Sequence, residues 1–265
     1  MNKNKTILIT GCRGGIGYDS AIALANLDHK VIATTHFQKD ADDINNFAKE
    51  QDLPIKSFKL DITLESDREK VLDYDIDVLI NNAGMGESGS LAEIDIKKIK
   101  DNFEVNVFGT LSLTQLVLKQ MFRSGSGKII FISSLAGRVT MPFMASYSMT
   151  KFSLSCASGA LRQEIKKVNK NIHVSVVEPG AYHTGFNQKM MAKKFVWMGK
   201  NSYFNSIKED LKTKEDKWFK LIEKKTTKTI VKKVVKAVNS KNPRLRYTAP
   251  WSQAMFIQIQ RIFGK

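Results

Sequence analysis

The sequence predicts an α/β protein with a doubly wound parallel sheet held between two helical layers, a three-layer sandwich. Three observations lead there. Six short runs rich in aliphatic and β-branched residues recur along the chain, stretches long enough for a helix separate them, and the first run passes directly into a cluster of glycines. With 265 residues and 42% hydrophobic content the chain can bury a full core of this kind as a single domain.

The first strand is expected over residues 6–10 (TILIT), followed by a glycine-rich turn (GCRGGIG) and an amphipathic helix over 18–27. Further strands are expected over 30–34, 55–60, 77–81, 128–133 and 172–177. Long helices fit 94–123 and 147–168. In a sheet of this type ligands bind at the carboxyl ends of the strands. Strand, glycine turn and helix together read as a dinucleotide cradle. Gly11 would allow a sharp turn, Gly15 would remove a Cβ that blocks a pyrophosphate, and Gly17 would let the helix approach the strand. The helix start, around Ile16, would offer unsatisfied N–H groups to the phosphates.

Tyr147 and Lys151 stand four apart in YSMTK, thirteen residues after Ser134. One helical turn apart, the ammonium would hold positive charge near the phenol and lower its pKa, which suits a general acid/base. Taken alone, such a pair is more often a solvated helix face, so the weight lies in its company.

That company resembles the short-chain dehydrogenase/reductase family in its compact single-domain form, with a Rossmann-type sheet. The loop TGCRGGIG is similar to the family's cofactor loop, Asp61 and Ile62 in KLDIT to its adenine-binding position, and NNAG, with Asn82, Ala83 and Gly84, to the motif beside the cofactor. Asn106 in NVFGT, Ser134 in FISSLAG, Tyr147 and Lys151 match the family's catalytic residues, and Pro179, Gly180 and Thr184 match the segment that brackets the nicotinamide. The resemblance covers residues 5–185. It implies that Tyr147 moves the proton at the reacting oxygen, that Ser134 orients this oxygen, that Lys151 also holds the nicotinamide ribose, and that Asn106 holds a water linking Lys151 to solvent. It also implies a homodimer or homotetramer built on the long helices.

Cofactor choice turns on charge after the second strand, where an acid would repel a 2′-phosphate. Thr34, Thr35 and His36 stand there instead, and His36 occupies a place where family members preferring NADP often carry arginine. With Arg13 in the glycine loop and Lys39 nearby, NADP(H) is favoured and NAD(H) is the alternative. Residues bordering the expected site are rich in thioethers and aromatics: Met85, Leu135, Val139, Met141, Phe143, Met144, Tyr182, Phe186, Met190, Met191, Phe195, Val196, Trp197 and Met198. They suit an apolar substrate, although core or dimer contacts explain many of them equally well. With the C-terminal PRLRYTAPW, the pattern resembles relatives acting on steroids, retinoids and other lipid-like alcohols or ketones. A fatty-acid-type 3-ketoacyl reductase and a non-catalytic nucleotide sensor are the alternatives.

Residues 1–185 form the expected cofactor and catalytic core, and 186–265 a substrate flap, basic helices and a tail. Those last 80 residues hold 20 Lys/Arg against 5 Asp/Glu, nearly all of the net charge of +16. Solubility, an acidic partner or an anionic membrane surface would each account for this, whereas nucleic acid is disfavoured, since no recognised module is present. Lysines from Lys224 to Lys236 interleave with Ile230, Val231, Val234, Val235 and Val238 as one amphipathic helix packed on the domain. The tail 251–265 places Trp251, Met255, Ile259, Ile262 and Phe263 near helical spacing, flanked by Arg261 and Lys265. Two cysteines, Cys12 and Cys156, are too few for a disulfide framework, the histidines lack metal-ligand spacing, and the first residues contain no signal-peptide apolar region. A cytoplasmic, or membrane-peripheral, protein without a metal is the expectation.

Overall fold

The computed structural model of the protein describes residues 4–263. Its elements in chain order are β1 (Thr6–Ile9), α1 (Gly15–Ala25), β2 (Lys30–Thr35), α2 (Gln38–Glu50), β3 (Ile55–Lys59), α3 (Glu65–Glu69), β4 (Val78–Asn81), α4 (Ile96–Phe103), α5 (Thr110–Ser124), β5 (Gly127–Ile132), α6 (Ala145–Val168), β6 (Ile172–Pro179), α7 (Phe186–Trp197), α8 (Lys208–Ile222), α9 (Lys228–Asn239), β7 (Arg246–Ala249) and α10 (Trp251–Ile262). The strands form one parallel sheet in the order β3-β2-β1-β4-β5-β6-β7. The order reverses between β1 and β4, and the crevice at their carboxyl ends is the ligand position of a Rossmann-type sheet.

Alternation along each strand creates the two cores. Ile7, Ile9, Val31, Ala33, Ile80, Ile130 and Val177 face Leu24 of α1 and Ile230, Val234 and Val238 of α9. Leu8, Ile32, Leu79, Ile129, Phe131 and Val176 face Leu113, Val117 and Met121 of α5 and Leu154 and Ile165 of α6. Because β1, β4 and β5 are apolar on both faces, they lie at the centre, and the sequence runs TILI, VLIN and GKIIFI reflect this.

Four expectations change. The seventh strand, β7, was read as part of the PRLRYTAPW segment; it has four residues and pairs Arg246 with Val176 and Ala249 with Pro179. The helix expected over 94–123 contains a π turn at Glu104–Gly109 between α4 and α5. The lysine-rich helix starts at Lys228 rather than Lys224, because Lys224 bridges to Tyr182. The first helix begins within the glycine loop, at Gly15. The tail expected over 251–265 is helical over its described part, while Gly264 and Lys265 lie outside the described residues, as does the start of the chain, Met1–Lys3.

Candidate active site

β1 delivers the chain to Gly11 at φ 71°, a left-handed conformation, and a Cβ there would stand 2.7 Å from the Ala83 Cα. Only glycine combines that turn with that approach. Thr10 Oγ1 accepts from the backbone N–H groups of Asn82 (3.0 Å) and Ala83 (2.9 Å), and the Asn82 side chain donates to the carbonyls of Thr10 and Gly11. The NNAG segment is thereby locked against the glycine loop. Gly15 has φ 60°, and a Cβ on it would meet the Thr184 side chain at 3.0 Å, so the loop and the segment after β6 face one another closely. The N-terminus of α1 has no side-chain cap, which leaves its first N–H groups directed at the crevice. These features fit the pyrophosphate of a dinucleotide.

At the adenosine end the fit is partial. Asp61 Oδ1 accepts from the Thr63 N–H and hydroxyl, and Oδ2 lies 3.6 Å from His36 Nδ1. The Ile62 side chain is buried in the α5-side core and its carbonyl accepts from Arg68. Arg13 pairs with Asp40 of α2 at 3.4 Å, a partner that sequence reasoning missed. Thr34 is fully buried, its hydroxyl bonded to the Ile9 carbonyl, and lines no ribose site.

At the reacting end, α6 presents Tyr147 and Lys151, both buried. Lys151 Nζ donates to the Ile132 carbonyl at 3.1 Å and lies 5.5 Å from the Tyr147 ring centroid. Ser134 follows β5 in extended conformation, accepts from the Ala136 N–H at 3.1 Å and donates to the Pro179 carbonyl at 3.4 Å, with its hydroxyl near the Tyr147 phenol. A Cβ on Gly84 would come within 3.1 Å of Asn106 Oδ1 and 3.7 Å of Lys151 Nζ, so those three residues converge. The Asn106 amide is closely engaged: its Oδ1 accepts from the Met85 N–H, and its Nδ2 donates to the Met85 carbonyl and lies within 3.0 Å of Asn102 Oδ1 and Thr150 Oγ1, which share its second hydrogen. Its side chain anchors the loop after β4, and the π turn that carries it positions it for that contact.

Around the phenol, Ala136, Met144, Met190 and Met191 form a buried cluster with Tyr147, and Met141, Phe186 and Phe219 pack against it. The Phe186 ring lies 5.7 Å from that of Tyr147. Helix α7 is pinned above the site by Lys193, which donates to the Gly86 carbonyl and pairs with Glu87 at 3.0 Å, and by Ser88, which donates to the Met190 carbonyl.

Residues 5–194 match the family model described as short chain dehydrogenase. The chain belongs to the short-chain dehydrogenase family. It is similar to the uncharacterized oxidoreductase YbbO of Escherichia coli, 30% identical over 193 residues that cover 70% of this chain and 69% of that protein. Estradiol 17-beta-dehydrogenase 1 of Rattus norvegicus is 33% identical, with 69% of this chain and 56% of the rat protein aligned, so the match spans little more than half of the rat protein's length. A short-chain dehydrogenase structure from Streptomyces avermitilis superposes with a TM-score of 0.82 at 25% identity, covering 100% of this chain and 94% of that one. Solved neighbours of this fold hold NAD in one case and NADP+ in another.

In this short-chain dehydrogenase, electrostatics at the reacting end departs from the expected picture. Burial pushes the Tyr147 phenol up to about 12, with only the Ser134 hydrogen bond opposing it, and pulls Lys151 down to about 8. Desolvation, rather than the neighbouring ammonium, dominates both groups. The apolar residues also divide. Tyr182 belongs to the α1-side core, with its hydroxyl bonded to Thr229 at 2.7 Å, Met198 is fully buried, and Val196 is exposed. Phe219, which does reach the cluster, sits in the lysine- and acid-rich α8, where nothing in the sequence sets it apart.

Sequence reasoning also missed Glu178. Fully buried on β6, it accepts from Ser155 at 3.1 Å and pairs with Arg246 of β7 and, at 3.5 Å, with Arg138. This network ties the serine loop, α6 and β7 together immediately before Pro179 and Gly180. A charged strand residue followed by proline gave no signal of it.

Proposed function

We propose that this oxidoreductase interconverts an apolar ketone or aldehyde with its alcohol, using NADP(H), with reduction as the direction its resting charge state favours. The observation that carries the reading is the burial of the Tyr147 phenol among Met144, Met190, Met191 and Phe186. A phenol held neutral in apolar surroundings is a proton donor placed where a bulky apolar carbonyl would lie.

The nicotinamide, when bound, supplies the hydride that adds to the carbonyl carbon, or takes it in the reverse direction. Tyr147 donates its proton to the carbonyl oxygen as the C–H bond forms and, in oxidation, receives the hydroxyl proton. Ser134 hydrogen-bonds that oxygen and Tyr147 together, which fixes the donor geometry. Lys151, beside the ring, stabilises the phenolate left after donation and would hydrogen-bond the nicotinamide ribose when the cofactor is bound. Asn106 holds Met85 through two hydrogen bonds, which would steady the loop after β4 beside the cofactor, and it would hold the water that links Lys151 to solvent.

Arg13 is the residue proposed to choose NADP(H). It stands exposed in the glycine loop, no acid terminates β2, and a 2′-phosphate would take over the guanidinium from Asp40. Assembly as a dimer or tetramer through α4, α5 and α6 is supported by the exposed Phe108, Phe122 and Phe152. A panel of steroid, retinoid, β-ketoacyl and small aliphatic carbonyls, followed by absorbance of the reduced nicotinamide, tests the function. Highest kcat/KM on a large apolar carbonyl is expected. Preference for β-ketoacyl thioesters would transfer the protein to the ketoacyl reductase reading, and cofactor binding without turnover on any compound would leave only a nucleotide sensor.

A further inference from the structure

Helix α10 is mounted with its apolar face outward. At about 100° per residue, Trp251, Met255, Phe256, Ile259, Ile262 and Phe263 fall within one arc of about 140°. All six are exposed, Trp251 at 74%, Phe256 at 58%, Ile262 at 68% and Phe263 at 73%. The opposite arc, toward the protein body, holds Gln253, Ala254, Ile257 and Gln260, each only partly exposed. The helix is attached by polar contacts: Gln253 accepts from the Ala181 N–H and donates to the Ile222 carbonyl, each at 2.8 Å, and Gln258 accepts from Arg138. A helix held on its domain by amides while its tryptophan, phenylalanines and isoleucines face water is inverted relative to an ordinary packing helix.

The charge beside it identifies the occupant. The end of α8, against which Gln253 bonds, carries exposed Trp218 and Leu221 among exposed Lys217, Lys220, Lys224 and Lys225. Glu223 in the same stretch is turned inward onto His183, Asn187 and Gln188, while exposed Asp216 stands at its edge and is outnumbered by the four lysines. Arg261 adds a cation on α10 itself. Aromatic and aliphatic side chains bordered by cations that form no salt bridge among the described residues are complementary to an anionic bilayer, whose headgroups meet the lysines while its acyl boundary takes the apolar arc. Among the described residues no helix is long and apolar enough to cross a membrane, so a helix of this kind lies in the interface plane.

We propose that α10 and the end of α8 form an anionic-membrane docking surface, and that this surface feeds the active site. Gln253 grips Ala181, one residue past Gly180, and Gly180 in turn donates to the Ala249 carbonyl at 2.8 Å. The bilayer would therefore lie beside the segment that brackets the nicotinamide, where an apolar substrate can pass from the lipid to Tyr147. The feeding role rests on the apolar-substrate reading, while the docking role does not.

Co-sedimentation of the full chain, without cofactor or substrate, with phosphatidylcholine vesicles containing phosphatidylserine tests docking on its own. Binding is expected to weaken at least tenfold when phosphatidylserine is omitted or salt is raised, and at least tenfold in a Phe256→Glu/Ile259→Glu double variant. Light scattering of both proteins without lipid should give the same mass, and turnover of a small water-soluble carbonyl should be unchanged, which shows that the variant is folded. Turnover of a large apolar carbonyl dissolved in the vesicles should rise several-fold with phosphatidylserine for the wild-type protein only. No wild-type binding to anionic vesicles overturns the proposal, and so does a drop in the double variant's mass, which would make the arc a contact between copies of this chain. Binding that depends on the arc, with no carbonyl reduced at all, keeps the docking surface and removes the substrate reading alone.

Discussion

The Phe186 ring lies 5.7 Å from the Tyr147 ring, so the first residue of the flap helix α7 and the proposed proton donor share one apolar surface. Helix α7 thus meets Tyr147 through Phe186 as well as through Met190 and Met191. Phe186→Ala should raise KM for large apolar carbonyls about tenfold, the equivalent of roughly 1.4 kcal/mol, while kcat on a small carbonyl changes less than twofold. Steady-state kinetics on both substrate sizes checks this.

Lys151 should be a stability liability in the absence of cofactor. Its folded pKa, about 8, lies below the ordinary 10.5, so between those values the unfolded chain binds more protons and stability rises with pH. Below about pH 8 the full penalty is present. Lys151→Met should therefore stabilise the protein by up to about 3 kcal/mol at pH 7, with the gain vanishing near pH 10.5, and should abolish turnover. Denaturant melts at both pH values read the difference.

For the same reason, turnover in the reductive direction should fall as pH rises through about 8, where Lys151 loses its charge, while Tyr147 remains protonated to about 12. The pH profile of kcat/KM, which reports groups in the enzyme before substrate binds, measures it. A flat profile between pH 7 and 10 would separate Lys151 from the proton transfer.

Arg13→Ala should weaken NADP(H) about tenfold and leave NAD(H) within twofold, because only the 2′-phosphate replaces Asp40 as the guanidinium partner. Fluorescence titration with both reduced cofactors decides it. An equal loss for both would return Arg13 to a structural pair with Asp40.

Much of this was legible in the sequence because it is local. The glycine turn, the fully apolar central strands and the four-residue spacing of Tyr147 and Lys151 each follow from a short window, and they placed the sheet and brought the serine, tyrosine and lysine into one crevice. What was missed depends on contacts distant in sequence. Asp40 meets Arg13 across the α1–α2 gap, Glu178 is matched by arginines 40 residues before it and 68 after it, and Asn106 bonds both backbone groups of Met85. Strand β7 escaped because it is only four residues long, alternates partly exposed with buried positions and is bounded by prolines, and the burial that raises the Tyr147 pKa comes from packing with Met190, Met191 and Phe186 of α7 rather than from any motif.

The central claim is that Tyr147 supplies the proton at the reacting oxygen, and single-turnover oxidation of the reduced nicotinamide by the preferred carbonyl, compared between the wild-type protein and Tyr147→Phe, tests it most directly. The rate should fall by about two to four orders of magnitude while cofactor affinity stays within twofold, since the phenylalanine keeps the ring contacts and removes only the hydroxyl. A rate within threefold of wild type would contradict the claim.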